Sequence, residues 1–252
     1  MSSILIAAVV FGCSLGAALI GTYVRLPERH LDTDSRDVVK LVMGLIATMS
    51  ALVLSLLIAS ASRSYDQQKN ELNTISADIV LLDRTLEFYG PDAMEVRDRL
   101  RDLVLQTHDR IWSPNGVRPE MLAGAETQSS AKANIERLLS FSPKTELQRL
   151  LLSRAIQASD GIARSRLLMI SQLGSSIAWP FLMVLVFWIG MLFLGFGLFA
   201  RFNTTVIMAL LVGALSVAGA IFLILELNDP YRGLMRISDD PLRSAISQIG
   251  HR

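Results

Sequence analysis

The sequence of 252 residues contains a single cysteine, Cys13. One thiol excludes a disulfide framework and a thiolate metal site. Histidine is also scarce. His30, His108 and His251 stand far apart with no ligand-type neighbours, so each is expected to be a solvated surface side chain. No Ser, His and Asp set reads as a triad, no glycine-rich phosphate loop follows a strand pattern, and no HExxH pair occurs. Nothing therefore speaks for an enzyme, and neither a metal nor a cofactor is expected. The formal net charge is only +1, which removes the electrostatic case for nucleic acid as a partner.

Charge is also missing where it would matter most. The chain is 51% hydrophobic and 19% charged, yet four stretches hold almost none of that charge: Ser3 to Tyr23, Val39 to Ala61, Trp179 to Ala200, and Thr204 to Leu225. Crossing a hydrocarbon core of roughly 30 Å takes about 20 apolar residues, and each stretch is long enough. The expected fold class is an all-α integral membrane protein with four transmembrane helices and the lipid bilayer as a partner. The first stretch lacks a basic residue ahead of its apolar core and a clear small-x-small cleavage site, so it reads as a retained span rather than a signal peptide.

Four spans put the N-terminus, the 63–178 segment and the C-terminal tail on one side. That side carries Arg63, Lys69, Arg164, Arg166, Arg232, Arg236, Arg243 and Arg252 near span ends; the other has Arg25, Arg29, Arg36, Lys40 and Arg201. The excess of basic residues places both termini and the large polar segment in the cytoplasm. The domain division follows: 1–62 as spans one and two, 63–178 as a helical cytoplasmic domain, 179–227 as spans three and four, and 228–252 as a cytoplasmic tail.

Glycine and proline are absent from Leu45 to Tyr89. An unbroken helix of that length reaches about 67 Å, so the second span is expected to continue into the cytoplasm. Asp34 and Ser35 offer side-chain acceptors for its first turn. Gly44, Thr48, Ala51, Ser55, Ala59 and Ser62 recur along it at spacings of three and four, all small and three with hydroxyls. Leu72, Ile75, Ile79, Leu82, Leu86 and Tyr89 continue at the same spacing, as in a helix that packs against partner helices. One stripe thus reads as small and weakly polar in lipid, then apolar in water. Its membrane part is compatible with packing and with lining a pore. Gly90-Pro91-Asp92 ends the helix and starts another. Residues 113–130 read as a loop, a short helix follows, and Ser142-Pro143 opens a long one that ends near Gly174.

Small residues also mark where helices approach closely in lipid. Gly12 and Gly16 in the first span, and Gly213 in the fourth, are expected at such crossings. The stretch FLILELNDPYRG closes the fourth span on Glu226 and Asp229. Length places Glu226 at the cytoplasmic edge, where a carboxylate opposes the helix dipole and tends to face a bundle interior or an aqueous path. Glu226 and Asp229 are candidates for a selectivity or gating ring, and the bland alternative is an ordinary interfacial acid beside a helix stop.

The segments LPERHLDTDSRDVVKLVMGLIATMSALVLSLLIASASRSYD, LLDRTLEFYGPDA, SSIAWPFLMVLVFW and LSVAGAIFLILELNDPYRGLMRIS resemble the bacterial bestrophin-like family. The resemblance implies kinship with bestrophins, which are oligomeric, mainly helical ion channels with four spans and a large cytosolic domain. Bestrophins proper are pentamers that conduct anions. Their neck aromatics and calcium-binding acids find no placement here, so anion selectivity and calcium gating do not transfer. The expected function is a homo-oligomeric ion channel, with inorganic ions as its permeating partners. Thr48, Ala51, Ser55, Ala59 and Ser62 would line the path, and Leu72, Ile75, Ile79 and Leu82 would pack between helices. Ring carboxylates lean towards cations. The alternatives are a non-conducting membrane scaffold or sensor, and an anion channel of the bestrophin type.

Overall fold

The computed structural model describes residues 3–24, 33–112, 133, 135–173, 179–200, 203–231 and 233–249. Among these residues there is no strand. The helices are α1 (Ser3–Tyr23), α2 (Thr33–Tyr89), α3 (Met94–Ile111), α4 (Glu146–Leu173), α5 (Trp179–Phe199), α6 (Thr204–Leu227) and α7 (Asp240–Gln248), with a short helical turn at 135–139. Four of them, α1, α2, α5 and α6, are long and apolar enough to cross a membrane. The loop expected at 113–130 lies outside the described residues, as do His30, His251 and the side chains of Asp34 and Ser35.

The chain forms two compact units. The first comprises residues 1–63 and 176–228, the second residues 64–175 and 229–252. Helix α2 is continuous through both, as the absence of glycine and proline from its length allows. It begins at Thr33, so Asp34 and Ser35 fall within its first turn.

In the first unit α1 packs on α5 and α6. Ala18, Leu57, Ala61, Leu185, Phe193 and Ala214 meet in its core. The crossing of α1 with α5 is made by small residues. A Cβ on Gly197 would collide with the backbone of Ala18, and one on Gly21 would collide with the backbone of Leu194. Helix α6 starts on Asn203, whose Oδ1 accepts the Val206 amide at 2.8 Å, satisfying one of the free N–H groups of its first turn. Large apolar side chains such as Leu41, Leu52, Leu56, Phe181, Phe187 and Met208 point outward, and only 11% to 39% of each apolar window is buried within the chain. Most of the apolar surface of this unit is thus left for something other than its own core.

In the second unit α2, α3, α4 and α7 share a core that includes Ile79, Leu82, Leu86, Val96, Leu100 and Leu242. Gly90 sits at φ 115°, the left-handed region that a side chain disfavours, and turns the chain from α2 into Pro91–Ala93 and then α3. Across this turn Arg97 of α3 grips Asp83 of α2 through two hydrogen bonds, Nε and Nη2 each donating to a carboxylate oxygen at 2.9 Å. Donating to the Asp83 carboxylate raises the Arg97 guanidinium above its ordinary pKa. The Asp83 side chain is 5% exposed and that of Arg97 20% exposed, so the pair is largely withdrawn from water.

Candidate permeation path

The two halves of the stripe on α2 lie on opposite faces. Both keep three-and-four spacing, but ten residues separate Ser62 from Leu72, and at about 100° per residue their phase is not preserved. Thr48, Ala51, Ser55 and Ala59 are exposed and Ser62 is half-buried. The other side of the helix, roughly half a turn away, carries the buried Ser50, Leu57 and Ala61 and packs into the first unit. Further along, Leu72, Ile79 and Leu82 are buried, with Ile79 and Leu82 in the second unit's core and Ile75 packed against it. The expectation of one continuous stripe is corrected. The apolar seam packs on helices of its own chain, whereas the small, hydroxyl-bearing row faces away from it.

Thr48 Oγ1 donates to the Leu45 carbonyl at 2.8 Å, returning its proton to its own helix. Its oxygen lone pairs remain on the exposed side. On the buried face, the Ser50 hydroxyl has no hydrogen-bond partner among the described residues, unlike Ser14, which donates to the Val10 carbonyl at 2.8 Å.

Glu226 lies inside α6, in its last turn, and is 4% exposed. Asp229, three residues on, is exposed. The two carboxylates expected to act alike thus occupy different environments. Gly12 and Gly16 also differ from expectation: a Cβ at either meets no atom within 4 Å, so neither makes a close crossing among the described residues. Gly213 makes an ordinary contact, 3.5 Å from the ring of Phe193 to a Cβ placed there. The positions tight against another helix's backbone are Gly21 and Gly197, which the spacing pattern passed over. LGFGLF, residues 194–199, carries the signal for Gly197.

His108, expected to be solvated, is instead engaged. Its ring nitrogens lie 3.1 Å from Asp109 Oδ1 and 3.0 Å from Asp239 Oδ2, and it stacks on Trp112. Among the described residues no group of three or more His, Cys, Asp or Glu side chains has the arrangement to hold a metal ion.

Four apolar helices, one of them running on from the first unit into the second, define a class of multi-helix protein. The chain belongs to the bestrophin-like domain family, whose model matches residues 10–242. Its fold is that of bacterial bestrophin homologues. A homologue from Klebsiella pneumoniae carrying an isoleucine-to-threonine substitution superposes with a TM-score of 0.70 at 12% identity, over 98% of this chain and 99% of that one. A leucine-to-threonine variant of the Klebsiella homologue gives 0.69 at 12% identity, over 98% of both chains. A proline-to-alanine variant described as a membrane protein gives 0.67 at 12% identity, over the whole of both chains. Comparison with curated protein sequences finds no match.

Proposed function

We propose that this protein is a homo-oligomeric ion channel of a bacterial inner membrane, with both termini and the second unit in the cytoplasm. The observation that carries this reading is the placement of Thr48, Ala51, Ser55 and Ala59. A row of small side chains with hydroxyls is exposed on the face of α2 opposite its own bundle. In a ring of subunits that face turns to the axis, and Leu45, Leu52 and Leu56 on its shoulder pack against the neighbouring copy. The outward apolar side chains of α5 and α6 then meet lipid, whose tails need no hydrogen bonds from them. Family membership supports the channel reading, since the resemblance to bestrophins implies ion conduction.

Permeation in this scheme is passive. Hydroxyl oxygens along α2 offer weak, repeated coordination that lets an ion enter without holding it. Asp229, being exposed, supplies the charge that faces ions, and a ring of such carboxylates selects for cations. Glu226, buried at the end of α6, acts in gating by holding that helix end in place. Asp229→Asn is expected to lower the cation-to-anion permeability ratio, read as a displaced reversal potential under a salt gradient. An unmoved reversal potential takes Asp229 out of the path, and a reversal potential on the anion side in the native protein favours the bestrophin-type anion channel.

The lining assignment has its own test. In a Cys13→Ser background, which removes the one exposed native thiol, Ser55→Cys is expected to give a channel that loses most of its current to a small water-soluble thiol reagent. An unreactive cysteine in a conducting channel contradicts the assignment. Purified protein in liposomes that passes no ion under any voltage, pH or calcium condition sinks the channel reading and leaves the scaffold or sensor.

A further inference from the structure

The C-terminal segment of the second unit is fastened to α3 by a small polar cluster that channel function does not call on. Both ring nitrogens of His108 face carboxylates: Nε2 lies 3.0 Å from Asp239 Oδ2, and Nδ1 lies 3.1 Å from Asp109 Oδ1. An ionised carboxylate only accepts hydrogen bonds, and a neutral imidazole has one N–H to give. Both contacts are hydrogen bonds together only when the ring carries two protons. We propose that His108 is held as an imidazolium between Asp239 and Asp109, forming a pH-sensitive clasp that keeps the segment 237–249 docked on α3.

The surroundings fit a clasp. The imidazole stacks on Trp112, with ring centroids 5.4 Å apart, and an aromatic face stabilises a cation laid against it. Trp112 also reaches the same segment, its Nε1–H donating to the Ile237 carbonyl at 3.2 Å. Asp239 is the hub on the other side. Its Oδ2 accepts from Arg243 Nη2 at 2.7 Å, and its backbone carbonyl accepts the Arg243 amide at 2.8 Å, opening α7. Helix α7 adds Leu242 and Ala245 to the core it shares with α3. Its docking therefore rests on an apolar face that pH does not alter and a charged hinge that pH does.

Among the described residues the ring touches two charged groups, Asp109 and Asp239. Asp109 comes from α3 itself, and Asp239 and Arg243 from the C-terminal segment. Helices α2 and α4 reach the neighbourhood through Ile75 and Met169, packed with Ile111 and Trp112. Glu71 and Asp78 flank Ile75 along α2, and Arg166 precedes Met169 on α4. The hydrogen bond to His108, and then Arg243, hold the Asp239 carboxyl below its ordinary pKa. A depressed carboxyl stabilises the docked state above the ordinary carboxylate range and loses that contribution as pH falls through its lowered value. The imidazole sets the other edge. Its second proton leaves as pH rises, and with it at least one of the two hydrogen bonds. The clasp is closed between these limits.

Amide hydrogen exchange of residues 240–249 in the full chain, in detergent micelles at pH 6 and pH 9 and corrected for the intrinsic rate, tests the proposal whether or not the protein conducts. The native protein is expected to lose about tenfold in protection at pH 9, the scale of a hydrogen bond to a charged group. His108→Gln is expected to show the lower protection at both pH values. Equal protection of the native segment at both, or a pH dependence that survives in His108→Gln, overturns the clasp. Should His108→Gln fail to fold, Asp109→Asn decides. The Asp109 side chain is 82% exposed, so its replacement leaves packing intact. It is expected to keep the segment docked at pH 6 and to move the midpoint of release to lower pH, and an unmoved midpoint overturns the doubly bonded imidazolium.

Discussion

Replacing Gly197 by alanine is expected to lower the stability of the first unit by about 1–3 kcal/mol, the range for forcing an extra methyl into a packed interior. The added Cβ has nowhere to go. It would meet the carbonyl oxygen, carbonyl carbon and Cα of Ala18, all backbone atoms of α1. A flexible side chain can swing aside, but a helix backbone moves only by separating the two helices. Separation loosens Ala18, Phe193 and Ala214, which share one core. Gly21→Ala acts at the same crossing from the other side, against Leu194. Because both substitutions relieve themselves by the same separation, the double variant is expected to cost less than their sum. Gly12→Ala is the control: its Cβ meets nothing within 4 Å, and alanine is the better helix former. Melting in detergent should show Gly197→Ala lower by roughly 5–10 °C, with Gly12→Ala unchanged or slightly higher. A Gly197→Ala protein that melts with the native one would mean that α1 and α5 do not cross at Ala18.

Arg97→Ala is expected to cost the second unit about 3–5 kcal/mol, because it leaves the Asp83 carboxylate buried without its cation. Asp83 receives both of its charge-assisted bonds from Arg97. Glu87 lies 3.9 Å from the same guanidinium but is half exposed, so it adds little and offers Asp83 nothing. Asp83→Asn should cost less than Arg97→Ala. The Arg97 side chain retains 20% of its exposure and can turn to water, whereas that of Asp83, at 5%, cannot. Replacing the pair together, Asp83→Leu with Arg97→Met, is expected to recover most of the loss, since desolvating two charges offsets much of their attraction. Hydrogen exchange across residues 79–104 reads this directly. If Arg97→Ala leaves protection there unchanged, the pair is an ornament on a turn that Gly90 and the apolar core already hold.

Both predictions concern contacts that were differently visible in advance. The helix ends around residue 90 were plain in the sequence, because Gly90-Pro91-Asp92 acts on its own backbone and needs no partner. The same is true of the apolar segments: α1 spans Ser3–Tyr23, as its composition indicates. The Arg97–Asp83 pair could not be selected from among the many charges of the second unit. Fourteen residues and a tight turn separate its members, and only the angle between α2 and α3 brings them together.

The candidate path shows the same divide within one helix. Three-and-four spacing located every residue of the stripe, including Thr48, Ser55, Leu72 and Ile79. Spacing does not carry phase across a gap of ten residues, so the small row and the apolar seam merged into one. Packing separates them. The second unit's core takes Ile79 and Leu82, and the first unit takes Leu57 and Ala61 from the face opposite Ser55. A small-residue pair presents a comparable limit. GCSLG and LGFGLF both say that a helix may be approached, and neither says by which helix. Gly197 meets α1, whereas Gly12 meets nothing among the described residues.

By itself the sequence determined four apolar helices, one long helix without a break and the turn at Gly90. Each of these follows from length, local backbone preference or residue chemistry, which act within a few turns of chain. Tertiary structure alone decided that the hydroxyl row of α2 faces outward, that Glu226 is buried while Asp229 is not, and that His108 is gripped by an aspartate 131 residues away. The reason is that burial and charge pairing depend on which faces meet, and that is a property of how helices pack rather than of any one of them.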